Sequence, residues 1–215
     1  MNRAEEDYIK LIHELQDETE VAYIKGATLA EQFEFTLQSV NEMLKRLEKK
    51  GFLNYTPYKG VKLTKKGRLE AIRLIRAHRI WEVFLAQKLG LPWDALHQEA
   101  ERLEHASSDE VIDRLYHYLG EPAYCHHGNP IPNLEGQMAK MARKALIESS
   151  PNSVVTVKRV LDHKPLLKHL NQCGIALHDE LEVLDKDAFT GSMTVKKGSH
   201  VITLTKQVTQ MIFID

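Results

Sequence analysis

Apolar residues recur along this chain with two different spacings, and the change from one to the other divides it. Tyr8, Leu11, Ile12 and Leu15 fall at i, i+3, i+4 and i+7, the stripe of a first helix. A short second helix is predicted over Ala27 to Glu34, burying Leu29, Ala30 and Phe33. Thr36 is a suitable N-cap for a third helix. There Val40, Met43, Leu44 and Leu47 share one face, while Gln38, Ser39, Asn41, Lys45, Arg46 and Lys49 lie largely on the other. Gly51 closes that helix, and Phe52 to Thr56 then turns at Pro57-Tyr58-Lys59-Gly60 into Val61 to Thr64, the pattern of a β-hairpin. Three helices followed by a basic hairpin predict a winged helix-turn-helix.

A long helix is expected from about Lys66 to Leu89, ending at Gly90 and Pro92. Two more follow, over 93–106 and 108–119. The second is opened by a capping box of Ser107 and Glu110 and carries Val111, Ile112, Leu115, Tyr118 and Leu119 on its apolar side. Such a face suits either a dimer interface or a monomer's core. Beyond a turn-rich loop over 121–132, the pattern predicts a further helix from Leu134 to Ile147 and a linker, Ser149-Ser150-Pro151-Asn152. The spacing then changes to that of strands: Ser153 to Val160, Glu180 to Leu184, Ser192 to Val195, His200 to Leu204 and Gln210 to Ile214, with Pro165 to Cys173 the one helical stretch. The fold class expected is mainly α with a small β domain. It divides into a winged helix over 1–70, a helical domain over 71–148, the linker 149–152 and a β barrel over 153–215.

Composition adds three points. With 43% hydrophobic residues in 215, the chain can build real cores. It has no apolar run near the length of about eighteen that a membrane span needs, and its acidic start is unlike a leader peptide, so a cytoplasmic location is expected. Two cysteines, Cys125 and Cys173, are too few for a disulfide framework. The net charge of −1 conceals an asymmetry: residues 36–79 hold twelve Lys/Arg against three Asp/Glu, and residues 94–121 hold two against eight. The first region suits phosphates and the second cations.

Candidate chemistry concentrates in the acidic region. Glu101, Glu104 and His105 stand at i, i+3, i+4 and share one helical face. They form either a solvated acidic face or a site for a divalent cation; oxygen-rich ligation with one imidazole suits manganese or iron. His78 and Glu82, at i, i+4 on the long helix, lie in a row running from Ile75 to Leu85. If buried there, the carboxylate requires a partner; if the row is wet, the two are a surface pair. Cys125-His126-His127 offers one thiolate and two imidazoles, without the second pair of a zinc finger. Cys173 reads as a core residue.

Glu6-Asp7-Tyr8-Ile9, His78 through Phe84-Leu85, Glu101-x-x-Glu104-His105 and Cys125-x-His127-Gly128-Asn129-Pro130-Ile131-Pro132 together resemble the diphtheria-toxin-repressor and manganese-transport-regulator family, in order and spacing across the chain. The C-terminal segment is similar to the SH3-like, FeoA-like domain of that family's longer members. The resemblance implies a helical dimerisation domain, a homodimer and operator DNA of metal-uptake genes as partner. It implies one metal site of Asp7, Glu101, Glu104 and His105, and a second of His78, Glu82, Cys125 and His127, with Asp162 reaching over from the β domain. Iron-sensing relatives carry methionine where Asp7 stands, so the hard carboxylate leans toward Mn(II); Cys125 would also accept Fe(II) or Zn(II). Short manganese-sensing relatives carry glutamate where Lys10 stands, so their paired-metal arrangement is not expected.

On this reading the metal is a co-repressor, favouring the orientation that sets two recognition helices at half-site spacing. The DNA face would comprise Thr36, Gln38, Ser39, Asn41, Lys45 and Arg46, with Lys59 and Lys62 of the wing on phosphates. A metallohydrolase using the same His, Glu and Cys residues is the rival from another class, but no His-Glu-x-x-His motif is present and the basic winged helix would have no purpose. A metal-storage or carrier protein is a third class, and it would need no DNA. An enzyme acting on a small-molecule substrate is not expected.

Overall fold

Asn2 and Glu5 begin the first helix by capping each other's backbone N–H groups, and α1 (Arg3–Thr19) runs from there. α2 (Gly26–Phe33) and α3 (Leu37–Lys49) follow, and the hydroxyl of Thr36 accepts from the Ser39 N–H as the sequence predicts. The wing is β1 (Leu53–Thr56) paired antiparallel with β2 (Gly60–Leu63), Leu53 opposite Leu63. Tyr8, Ile9 and Ile12 of α1 pack with Leu29, Val40, Leu44, Leu47, Leu53 and Val61 into one core. The computed structural model describes residues 1–133 and 135–215.

α4 (Lys65–Leu89) carries the chain away from the wing and stops at Gly90 in the left-handed conformation. A single 3-10 turn, Trp93–Ala95, leads into α5 (Leu96–Glu104), and α6 (Asp109–Tyr118) follows. The cap of α6 differs from expectation. Ser108, not Ser107, accepts from Val111 N–H, because Ser107 Oγ is engaged 2.8 Å from the Trp81 indole N–H and donates to the Leu103 carbonyl. Where two serines are adjacent, the one beside a half-buried indole satisfies it, and its neighbour caps.

The helix expected over Leu134 to Ile147 is a correction. Leu134 lies outside the described residues, and none of residues 135–147 is α-helical. Gly136 takes a φ of +76°, Asn133 closes a turn by accepting from Gln137 N–H, and Lys144–Ala145 forms a strand, β3. Leu146 is buried in the β unit's core. Tertiary pairing overrides the helix-favouring alanines and methionines of this stretch.

The remaining elements are β4 (Val154–Val160), α7 (Lys164–Cys173), β5 (Glu180–Lys186), β6 (Met193–Lys197), β7 (His200–Leu204), α8 (Lys206–Thr209) and β8 (Ile212–Ile214). They form an SH3-like antiparallel sheet in the order β3-β8-β4-β5-β6-β7, closed over by Leu166, Leu167 and Leu170 of α7. The short α8 has no apolar period to announce it; the Thr205 cap is its one local signal. Among the described residues, no helix is long and apolar enough to cross a membrane.

Candidate metal centre and nucleic-acid interface

The face of α3 opposite its core stripe is open. Thr36, Gln38, Ser39, Asn41, Lys45 and Arg46 are all exposed, as are Lys59 and Lys62 of the wing, whose ammonium groups flank the Tyr23 ring at 5.8 and 6.0 Å. A recognition-type helix and a basic hairpin therefore present their polar side chains together.

Asp7 on α1 meets Glu101, Glu104 and His105 at the end of α5, with one donor atom from each within 4.8 Å of all the others. His105 Nε2 stands 2.9 Å from Asp7 Oδ1 and 3.4 Å from Glu104 Oε1. Both His105 Nε2 and Asp7 Oδ1 are buried, and neither makes a hydrogen bond of acceptable geometry. His105 Nδ1 lies 2.6 Å from the Glu6 carboxylate, which accepts when Nδ1 carries the proton, and Nε2 is the ring nitrogen that faces the cluster. That carboxylate–imidazole relay orients metal-ligating histidines, so the donor set fits a hard divalent cation. Burial raises the Asp7 pKa, partly offset by His105.

A second group lies beyond His78. His78, Glu82, His97 and Asp162 come together, and Glu82 is shared with Cys125 and His127. Glu82 Oε1 lies 2.9 Å from His127 Nδ1 and 3.3 Å from His78 Nε2, so the row from Ile75 to Leu85 is dry and its carboxylate is partnered. Burial opposes the Glu82 charge, but His127 and His78 outweigh it and hold the carboxyl well below its usual range. Burial likewise opposes the His127 charge, yet Glu82 and Cys125 push its pKa up to about 11. His78 is also raised, because Glu82, Asp162 and Glu104 overcome burial and Lys10. Burial pushes the Cys125 thiol up. His127 Nε2 is buried without a partner, consistent with a donor facing a cation.

The loop that carries Cys125 and His127 is seated on the β unit. Gly128 has φ of +84°, and a Cβ there would fall 2.1 Å from the Lys158 carbonyl oxygen, so only glycine permits the approach. Val160 N–H then donates to the His127 carbonyl at 3.0 Å. Asp162, two residues past β4, is thereby delivered to 3.9 Å from both His78 and His127.

All nine sequence-derived candidates thus fall into two adjoining groups. Two residues were missed. His97 pairs with Asp162 through Nδ1 and stands one helical turn before Glu101, a spacing that could have found it. Lys10 has 5% exposure and its ammonium lies between the groups: 2.7 Å from Glu104, 2.8 Å from Glu101 and 3.1 Å from His78 Nδ1. Burial opposes its charge, but Glu14, Glu104 and Glu101 hold its pKa above the usual lysine range. Its signal was a cation one turn after Asp7.

A winged helix with an open polar face, joined to buried carboxylate and imidazole clusters that could hold a metal ion, is the arrangement of a metal-responsive DNA-binding regulator. Comparisons with known proteins agree along the whole length. The iron dependent repressor N-terminal DNA binding domain matches residues 1–61, its metal binding and dimerisation domain matches 64–133, and the FeoA domain matches 144–215. The iron-dependent repressor IdeR of Mycobacterium leprae is 34% identical, over 98% of this chain and 96% of its own. Among solved structures, the manganese regulator SloR is 37% identical with a TM-score of 0.83, covering 98% of this chain and 97% of its own. A manganese-dependent transcriptional repressor in complex with manganese is 32% identical, with a TM-score of 0.87 and 98% of each chain covered. The chain belongs to the iron-dependent repressor family. It is a metal-dependent transcriptional repressor that acts on operator DNA as a dimer with a divalent metal as cofactor; the metallohydrolase alternative finds no support, since its relatives are repressors and not enzymes.

Proposed function

We propose that Asp7, Glu101, Glu104 and His105 hold one divalent cation and that His78, Glu82, His97, Cys125, His127 and Asp162 supply a second site, with Mn(II) the activating metal. The observation that carries this reading is the approach of Asp7 to His105: a carboxylate of the winged-helix unit and an imidazole of the helical unit, 2.9 Å apart and without hydrogen-bond geometry. A donor set of three carboxylates and one imidazole favours manganese over softer ions, and relatives described as manganese-dependent support that choice.

When bound, the cation supplies positive charge that joins carboxylates on α1 and α5. Asp7 fixes the start of α1 against α5, Glu6 holds the His105 tautomer, and Glu82 holds that of His127. α1 packs through Tyr8 and Ile12 on the core that carries α3, so fixing α1 fixes the recognition face. Thr36, Gln38, Ser39, Asn41, Lys45 and Arg46 face the major groove, Lys59 and Lys62 the phosphates. Residues 1–70 form the DNA-binding domain and the helices after them the dimerisation domain; the SH3-like domain takes in β3 (Lys144–Ala145) and Leu146 ahead of the 153–215 expected from the sequence. The repressor works in the cytoplasm on operators of metal-uptake genes.

The test is a titration of metal-free protein against DNA upstream of metal-transport operons of its own genome, with Mn(II), Fe(II) and Zn(II) added separately and Glu104→Ala alongside. Binding that requires Mn(II) and vanishes in the variant is expected. Binding indifferent to metal and to Glu104 would overturn the reading, and a stronger response to Fe(II) or Zn(II) would overturn the choice of metal.

A further inference from the structure

The last turn of α1 is charged against its own dipole. A helix C-terminus carries partial negative charge and favours cations, yet this one offers Asp17, Glu18 and Glu20 and no basic residue of its own. The compensating charge comes from far along the chain. Arg159 of β4, 1% exposed, makes a two-pronged pair with Glu18, its two terminal nitrogens each 2.9 Å from a carboxylate oxygen. Its Nε donates to the Ala142 carbonyl at 2.9 Å, and the guanidinium lies 3.6 Å from the centroid of the Phe213 ring. Beside it Arg143 donates to the Asp17 carbonyl at 2.7 Å and pairs with the carboxylates of Asp17 at 3.1 Å and Glu20 at 3.4 Å.

We propose that Arg159 and Arg143 form a socket for the acidic end of α1, an intramolecular docking interface through which the β unit sets the orientation of the winged helix. The same few residues of the β unit serve the second candidate metal group: Lys158 backs Gly128, Val160 holds the His127 carbonyl, and Asp162 approaches His78. One short stretch of chain, 158–162, therefore grips α1 and completes the second group at once. α1 is consequently held at both ends, by Asp7 in the acidic cluster and by Glu18 in the socket. The link to the second group rests on the metal-site reading above; the docking of α1 does not.

The test uses full-length, metal-free protein without DNA, read by hydrogen exchange and mass spectrometry. Glu18 is one-third exposed, so Glu18→Gln and Glu18→Arg alter the pair without cutting into the β core. Exchange about tenfold faster across residues 16–20 and 157–162 in Glu18→Arg, less in Glu18→Gln, with β5 to β7 unchanged, is expected. Unchanged exchange in both stretches, or acceleration spread equally through β5 to β7, would overturn the socket. With Mn(II) and operator DNA added, Glu18→Arg is expected to weaken DNA binding about tenfold while leaving Mn(II) stoichiometry as in the wild type; full DNA affinity alongside loosened exchange would overturn its role in orientation.

Discussion

The ammonium of Lys10 lies 2.7 Å from Glu104 and 2.8 Å from Glu101, so the acidic row on α5 carries a cation of its own from α1. Lys10→Met removes that charge and leaves a fully buried carboxylate without it. Breaking a buried pair costs about 3–5 kcal/mol. For a chain of this length that corresponds to a fall of about 10 °C in the melting temperature of the metal-free protein. Added Mn(II) is expected to raise the melting temperature more in the variant than in the wild type, because it replaces the missing charge. Scanning calorimetry with and without Mn(II) measures both, and an unchanged metal-free melting temperature would show that Lys10 contributes nothing there.

Metal binding at the proposed second group is expected to release protons. His127, with its pKa pushed up to about 11, must lose a proton to become a ligand, and, against burial, Glu82, Asp162 and Glu104 shift His78 in the same direction. Apparent affinity for Mn(II) at this group therefore rises with pH, about tenfold per unit for each proton displaced. Calorimetric titration in two buffers of different ionisation enthalpy counts those protons, and buffer-independent heats would contradict the assignment.

Glu101 yields a stability prediction with a defined sign. Burial raises its pKa, but Lys10 wins and holds it at about 2, below the ordinary 4.5. A depressed carboxylate contributes stability that is present above 4.5 and lost as the pH falls toward 2. The stability deficit of Glu101→Gln in metal-free protein is accordingly greatest above pH 4.5 and shrinks as the pH falls. Urea unfolding at a series of pH values resolves it; a deficit independent of pH would mean that the Lys10 pair plays no part.

Gly128→Ala should separate the ligand loop from β4. The left-handed backbone alone costs about 1–3 kcal/mol for a residue with a side chain, and the clash with the Lys158 carbonyl adds to it. Reduced thermal stability, together with weaker Mn(II) binding at the second group, is the expected result by calorimetry.

On the DNA side, Lys59→Ala is expected to weaken binding uniformly across operator sequences and to reduce the salt slope by about one, as loss of a single phosphate contact does. Retardation assays over a range of KCl concentrations read the slope directly. An unchanged slope would remove Lys59 from the phosphate contacts.

Elements built from local signals were legible in the sequence. Thr36 capping α3, Gly90 ending α4 and the alternation along β4 to β6 each depend on neighbours a few residues away. The stretch 135–147 was not, because its conformation is set by pairing with β8 and by the β core's claim on Leu146. The candidate groups were legible as residue types at helical spacing, but two contributors were hidden. His97 had its i, i+4 spacing to Glu101 as a signal, but its pairing with Asp162, 65 positions away and just past β4, had none. Lys10 entered only as the position where short manganese-sensing relatives carry glutamate, because nothing local reveals that α5 closes over it. The Arg159–Glu18 pair spans 141 positions and has no local signature at all.

A helix seventeen residues long, held at both ends, behaves as a beam and not as a hinge. At 1.5 Å per residue α1 measures about 25 Å, so a tilt of about 5° about one anchored end carries the other end roughly 2 Å. That displacement is comparable to the length of a hydrogen bond. On the proposed reading, small adjustments where Asp7 meets α5 would then make or break whole hydrogen bonds at the exposed face of α3, provided the far end of the beam does not slip.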